Sequence, residues 1–467
     1  MIKLKQIALT LLLSFAIQGC ATGATYYVKT GGNDRLDGLS DGNAWETLNK
    51  IAISSFNAGD TIKLNSGDTW AENLTFPSSG TVGNVITLTN YGTGANPVIN
   101  RLVFTLKHDI AVSNLETNST GVYEYGCMVL GSYNFTFDNC VFDGNNQRAD
   151  AFLTQFSGTE WTHDITITNC MVKDVGDIDN GAEGGTGFQI ASGSYNVLIE
   201  DCDALECEEA GFQVFTNTVY WGTWDSHDVT FRRCYVFLTG HTDISSQAIV
   251  IGWKAYNTLV DKCFTVGTRH GMTVDHNITG PNRIQNSIFY NGLECFVAVG
   301  CNNLTVVNNT FIAGPNTVKT AWFRTGCVSG NVFKNNISIS LQSWWQNLIV
   351  DTAGSVDSDY NRYYNTILPT EGYFSQGANT YNTLAGWQTA TGLDLNSTCG
   401  NPLFRSATDY RLQKNSPCRG VGASLVGIVD DDYDGTPRPL GGVYDIGAYQ
   451  YYKAKVRGNA TLRHSTI

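Results

Sequence analysis

Between residues 133 and 263 one phrase recurs: YNFTFDNC (133–140), HDITITNC (163–170), YNVLIEDC (195–202), HDVTFRRC (227–234) and YNTLVDKC (256–263). Each copy runs from a Tyr or His to a Cys seven residues later, at Cys140, Cys170, Cys202, Cys234 and Cys263. Weaker copies put Leu115 before the series and Ser287, Asn309 and Asn336 after it. The steps are 25, 30, 32, 32, 29, 24, 22 and 27 residues. Self-similarity at such a period marks a stacked repeat architecture. Within a copy, Phe135 and Phe137, Ile165 and Ile167, Val197 and Ile199, and Val229 and Phe231 alternate with Thr, Asp, Glu and Arg. Period-two alternation of β-branched and aromatic residues means strands with one buried face. Short strands stacked copy upon copy make a parallel β-helix, an all-β solenoid whose coils lie about 4.8 Å apart.

In such a stack equivalent residues form columns. The Cys column becomes an internal ladder of small, soft side chains expected to stay reduced. One Cys per coil is not the close-pair spacing of a zinc site. Asn139, Asn169, Asn286 and Asn308 precede that column, where a tight corner favours the left-handed backbone that Asn tolerates. Asp201, Arg233 and Lys262 fall on successive coils, so charges of opposite sign become neighbours.

The chain begins with a targeting pattern. Lys3 and Lys5 precede an apolar run from Ile7 to Ile17, too short to span a bilayer. Ile17-Gln18-Gly19-Cys20 resembles a bacterial lipoprotein signal, which implies lipidation at Cys20 and a membrane anchor; ordinary secretory cleavage is the alternative. Either way the chain is expected to be exported, to the outer membrane or cell surface if anchored and otherwise to the periplasm or medium. Net charge is −13 and the isoelectric point about 4.9, which argues against a nucleic-acid partner.

Two stretches carry a further resemblance. Residues 25–100 hold Tyr26-Tyr27-Val28, Gly32-Asn33-Asp34, Ala44-Trp45, Gly59-Asp60-Thr61-Ile62 and Gly67-Asp68-Thr69. Residues 399–450 hold Asn401-Pro402-Leu403-Phe404, Asp409-Tyr410-Arg411-Leu412, Ser416-Pro417 and Asp445-Ile446-Gly447-Ala448-Tyr449. The chain resembles the secreted right-handed parallel β-helix (pectin-lyase-like) proteins that include many polysaccharide lyases and glycoside hydrolases. The resemblance implies a single-stranded right-handed solenoid, capped at the start by a helix over Thr47–Phe56 and at the end by a loop-rich segment. The expected layout is a signal over 1–20, cap and first coils over 25–100, coils over 101–398, a cap over 399–452 and a disordered basic tail over 453–467. Cys399 and Cys418, off the ladder, are the best disulfide candidates. The implied partner is a polysaccharide, and the chain is read as a monomer.

A β-helix interior is filled with side chains, so chemistry must sit on outer faces and in loops. After each Cys the chain turns and starts a further strand, and the loops feeding those strands hold the ionisable residues. In register, Glu209, Arg269 and His270 lie near one another, with Glu208, His241 and Asp243 close by and Asp275 and His276 framing the other side. Tyr220, Trp221 and Trp224 offer flat surfaces for sugar rings. A lyase needs a cation against a uronate carboxylate and a base for the adjacent proton; Arg269 and either His270 or His276 fit. A hydrolase needs two carboxylates, which Glu208 or Glu209 with Asp243 or Asp275 would supply. A non-catalytic glycan binder using the aromatic residues is the third reading. Asp430, Asp432 and Asp434 match the first half of a calcium loop, although Gly441 replaces its closing Glu; calcium is the one cofactor the sequence points to.

Overall fold

The computed structural model describes residues 23–120, 125–147, 150–176, 185–216, 224–238, 246–267, 269–275, 280–291, 293–314, 319–341, 346–367, 372–440 and 442–451. It is a right-handed parallel β-helix. Each central coil contributes three strands, one more than the alternation in the sequence reveals. Face A is a thirteen-stranded parallel sheet running from Thr25–Val28 to Val356–Asp359. Its register stacks Phe135, Ile165, Val197 and Val229 in one inward column. Face B holds the short strands that follow each Cys, such as Met171–Val175, Asp203–Cys207 and Tyr235–Phe237. Face C holds Thr186–Ile190, Ala210–Phe215, Gln247–Gly252, His270–Asp275, Glu294–Ala298, Lys319–Phe323 and Leu348–Val350, each paired in parallel with the next.

The Cys column does more than pack. The backbone N–H of Cys140 donates to Cys170 Sγ and that of Cys170 to Cys202 Sγ, both at 3.4 Å. Further along, Cys263 N–H donates to Ser287 Oγ (3.1 Å), Ser287 N–H to Asn309 Oδ1 and Asn309 N–H to Asn336 Oδ1 (both 2.9 Å). Cys, Ser and Asn are interchangeable here because each accepts the buried N–H of the previous coil, a group that is costly to leave unpaired. The residue before this column is left-handed on coil after coil: Asn139, Asn169, Asp201, Arg233, Lys262, Asn286 and Asn308 all have φ between 51° and 58°. Arg233 tolerates that strained backbone while its guanidinium holds both oxygens of Asp201 at 2.7 Å. Lys262 reaches instead to Asp431, at 2.6 Å. All twelve described cysteines are free thiols, Cys399 and Cys418 included, so the structure contains no bond between those two.

Both ends differ from expectation. The N-terminal helix α1 covers only Leu48–Ala52, capped by Thr47, and buries Leu48 and Ile51 beneath the first coils. It stops early because Ser54 Oγ donates to the Lys50 carbonyl at 2.7 Å, offering the backbone a competing partner. The far end is plugged by a second helix that the sequence reading missed, α2 (Leu384–Thr391), between a Thr383 N-cap and a left-handed Gly392. Only Leu384 and Trp387 of α2 are buried, so no apolar stripe announces it. Beneath it the buried carboxylate of Asp394 accepts from Ser358, Asn361, Tyr363, Trp387 and Ser397 at 2.6–3.0 Å. Of residues 399–450, Cys399 and Gly400 cover the last face-B strand, Arg362–Asn365, while the rest leave the stack's end. They lie along its flank, where Leu412, Cys418, Ile446, Ala448 and Tyr449 cover Ile288, Ile312, Ile337 and Ile339 on the outside of face B.

Candidate functional site

The ionisable residues gather where face B turns into face C. Strand register aligns Gln247, His270, Glu294 and Lys319 at the opening positions of four successive strands. Parallel pairing sets each about 4.8 Å from the next, which favours opposite charges side by side. His270 Nε2 donates to Glu294 Oε2 at 2.6 Å, and its Nδ1 lies 3.4 Å from Thr273 Oγ1. Lys319 Nζ stands 4.0 Å from Glu294 Oε1. The same ammonium lies 3.1 Å from the ring centroid of Trp322, and the Arg324 guanidinium 4.5 Å from it. Trp322 is locked by its indole N–H, which donates to Asp351 at 3.0 Å. Ala321 and Phe323 point into the core, so Trp322 between them faces outward.

The electrostatics follow from this packing. Burial alone would raise the Glu294 carboxyl. The hydrogen bond from His270 and the charges of His270, Lys319 and Arg269 outweigh it and hold the group below its ordinary value. Burial pulls Lys319 down, Glu294 and Asp351 oppose this, and Arg324 adds to it, so the amine ends below the usual lysine range. The arrangement offers a poised amine, a fixed imidazole–carboxylate pair and further guanidinium charge.

Arg269 belongs to this group: its carbonyl accepts from Glu294 N–H at 2.8 Å and its charge acts on the Glu294 carboxyl. Glu209 lies at the same corner but two coils away, since Gln247 N–H donates to the Glu209 carbonyl and His270 N–H to that of Ser246. The carboxylate beside His270 is therefore Glu294, not Glu209. Two coils before Glu209 at this corner lies Asp150, which the sequence reading passed over; burial pushes that carboxyl up to about 7, with the Glu209 charge adding to the rise. Glu208 is buried beside that pair, its N–H donating to the Val175 carbonyl. Asp275 sits at the far end of the His270 strand, about 16 Å away at the rise of an extended chain, and does not join the cluster. Trp224 stacks on Phe156 (5.5 Å) and meets Trp161 edge-on (4.8 Å), forming an aromatic patch at the corner between faces C and A. Tyr220, Trp221, His241, Asp243, His276 and Cys20 lie outside the described residues.

The acidic turn has other partners. Asp434 is held by Arg411 at 2.8 and 3.0 Å, and Asp432 accepts the backbone N–H groups of Asp434, Thr436 and Gln450. Asp430 contributes its carbonyl, which accepts from Arg438 N–H. These oxygens tie down the flanking segment rather than converge on a cation. Among the described residues no group of three or more His, Cys, Asp or Glu is arranged to hold a metal.

The comparisons with known proteins fit this architecture. A family described as right handed beta helix region matches residues 108–242. No curated protein matches the sequence. Among solved structures, XylC in complex with xylose is 12% identical, with 92% of this chain and 98% of that one covered and a TM-score of 0.52. The pectate lyase Pel9A is 19% identical over 93% and 98%, with a TM-score of 0.46. A GH136 lacto-N-biosidase from Eubacterium ramulus is 12% identical over 73% of this chain and 64% of its own length, with a TM-score of 0.47. At such identities what is shared is the fold.

Proposed function

We propose that the chain is a carbohydrate-active enzyme that cleaves a uronate-containing polysaccharide by β-elimination at the B–C corner. The observation that carries this reading is Lys319: an amine with a lowered pKa, held over Trp322 beside Arg324 and within 4.0 Å of Glu294. Abstraction of the proton next to a uronate carboxylate needs a neutral base close to working pH and cations to receive the developing charge. Lys319 would take the proton, and Arg269 and Arg324 would neutralise the carboxylate. Both ring nitrogens of His270 face partners, so it fixes Glu294 rather than serving as the base. A fold relative, XylC, was solved with xylose, which agrees with a sugar polymer as the partner class. The protein would act outside the cytoplasm, tethered through Cys20.

A second reading rests on Asp150 and Glu209. A carboxyl raised to about 7 near a second acidic group is the pattern of an acid and base pair in glycoside hydrolysis. Asp150 is only 9% exposed and one of its carboxylate oxygens already accepts the Thr186 N–H, so elimination is preferred. The test is to incubate the protein with uronate-containing and neutral polysaccharides, with and without calcium, following near-ultraviolet absorbance and reducing ends together. Elimination gives both signals. New ends without absorbance would mean hydrolysis and turn attention to Asp150 and Glu209. Binding without cleavage would mean a glycan-binding protein and point to Trp161 and Trp224.

A further inference from the structure

Seven described cysteines lie off the ladder, and two of them meet. Cys301 and Cys327 lie on consecutive coils at the turns that follow strands Glu294–Ala298 and Lys319–Phe323, and their sulfurs are 3.0 Å apart. Neighbouring ladder thiols also meet, as Cys140 does Cys170 and Cys234 does Cys263, but those sulfurs are held besides by backbone N–H groups of the neighbouring coil or by carbonyls. Here the two sulfurs face each other, and the Cys327 thiol also lies 3.5 Å from the Ala298 carbonyl. A separation of 3.0 Å is too short to hold a metal between them, since two zinc-bound thiolates sit about 3.8 Å apart. Stacked coils about 4.8 Å apart lie within the Cα separations a disulfide accepts, so sulfur movement of about 1 Å would close the bond.

We propose that Cys301 and Cys327 are a disulfide-forming pair that staples the two coils carrying Glu294, Lys319 and Trp322. Cys327 is the attacking sulfur. Its contact with the Cys301 thiol, together with the backbone N–H groups of Cys301 and Gly300, holds it below the ordinary thiol value. The same contact, with burial, pushes Cys301 upward. Access is short: Cys327 is buried, yet Arg324, Thr325 and Gly326 before it and Val328, Ser329 and Gly330 after it are exposed. The oxidant is a disulfide, either a small molecule such as glutathione disulfide or a protein disulfide carrier. The Cys327 thiolate attacks one of its sulfurs and expels the first thiolate. Cys301 gives up its proton, attacks the mixed disulfide at Cys327 and expels the second. Two protein thiols lose two protons and two electrons, and the oxidant leaves as two thiols. This inference is independent of the reaction proposed above.

The test is peptide mapping of the wild-type full chain, equilibrated in oxidised and in reduced glutathione, acid-quenched, unfolded in N-ethylmaleimide and digested without reductant. The oxidised sample is expected to yield a peptide pair joined through Cys301 and Cys327. That pair should be lost after dithiothreitol, with the ladder cysteines carrying label in both samples. Its urea midpoint should also lie above that of the reduced sample, and C327S should show no such difference. Label on both Cys301 and Cys327 in oxidised glutathione, or either joined to a different cysteine, would overturn the proposal.

Discussion

Two columns occupy similar places in this fold, at or beside the openings of successive parallel strands, and they differ in kind. On face A the column reads His108, Tyr133, His163, Tyr195, His227, Tyr256. Its rings are stacked 4.7–5.0 Å apart and within 4–17° of parallel. Nδ1 of each His is hydrogen-bonded to the next residue, Asp109, Asp164 or Asp228, at 2.6–2.8 Å. Those aspartates in turn accept from Asn134, Asn196 and Asn257 one coil on. On face C the column reads Ala210, Gln247, His270, Glu294, Lys319 and repeats nothing. A column whose members meet copies of the same neighbours serves the stack. A column whose members each meet a different partner, two of them, Glu294 and Lys319, with lowered pKa values, can serve a ligand. The histidines of face A and His270 are the same side chain in two roles, and only the surroundings distinguish them.

The largest effect that would sharpen this contrast is at Lys319. Lys319→Met should lower kcat by about a hundredfold or more, the range for loss of a general acid–base group. Tyr195→Phe and His163→Phe should leave cleavage within about twofold and lower stability by about 1 kcal/mol or less, as for one stacked ring among several. Next in size is His270→Ala, which leaves the Glu294 carboxylate without its closest donor. It should cost about 1–3 kcal/mol in urea unfolding, together with activity. Glu294→Gln should recover part of that stability in the double variant without restoring rate.

How the protein responds to pH divides the columns again. The folded-state pKa of Glu294 lies below its unfolded value, so it adds stability above the ordinary glutamate pKa, and that contribution is lost as pH falls through the lowered value. Lys319 has the opposite consequence for rate: a lowered amine pKa means the neutral form accumulates at lower pH than for a free lysine. kcat/KM should therefore rise with pH and level off below the usual lysine range. Lys319→Arg, which stays protonated, should lose both the activity and that limb of the profile. The smallest expected effect is Asp201→Asn, which keeps a side chain suited to the left-handed backbone and leaves Arg233 paired with Glu200 at 3.0 Å; it should shift stability by about 0.5 kcal/mol or less with no change in rate.

Face A was legible in the sequence because its alternation and its repeat coincide: Phe135, Ile165, Val197 and Val229 mark both the strand and the coil. The Tyr or His that opens each copy was read only as a landmark, since stacking of rings between coils becomes visible once the register is known. The flanking segment was misread as an end cap. Its anchors Leu412, Ile446 and Ala448 are isolated apolar residues without a period, and their partners lie more than a hundred residues earlier in part. Arg269 and His270 stood out in the sequence because they adjoin each other. Glu294 and Lys319 were missed because each stands alone in its own coil, 24 and 25 residues along. Aligning HGMTV, ECFVA and KTAWF on Met272, Phe296 and Ala321 would have placed His270, Glu294 and Lys319 in one column.

The claim that the unrepeated column of face C is the functional one is tested most directly by one depolymerisation assay. It sets wild type, Lys319→Met and Tyr195→Phe against a panel of uronate polysaccharides, with absorbance and reducing ends recorded in the same tube and folding checked by thermal melts. Wild type and Tyr195→Phe should give both signals and a folded Lys319→Met neither. Cleavage by Lys319→Met at the wild-type rate, or reducing ends without absorbance, or no cleavage of any polymer by wild type, would contradict it.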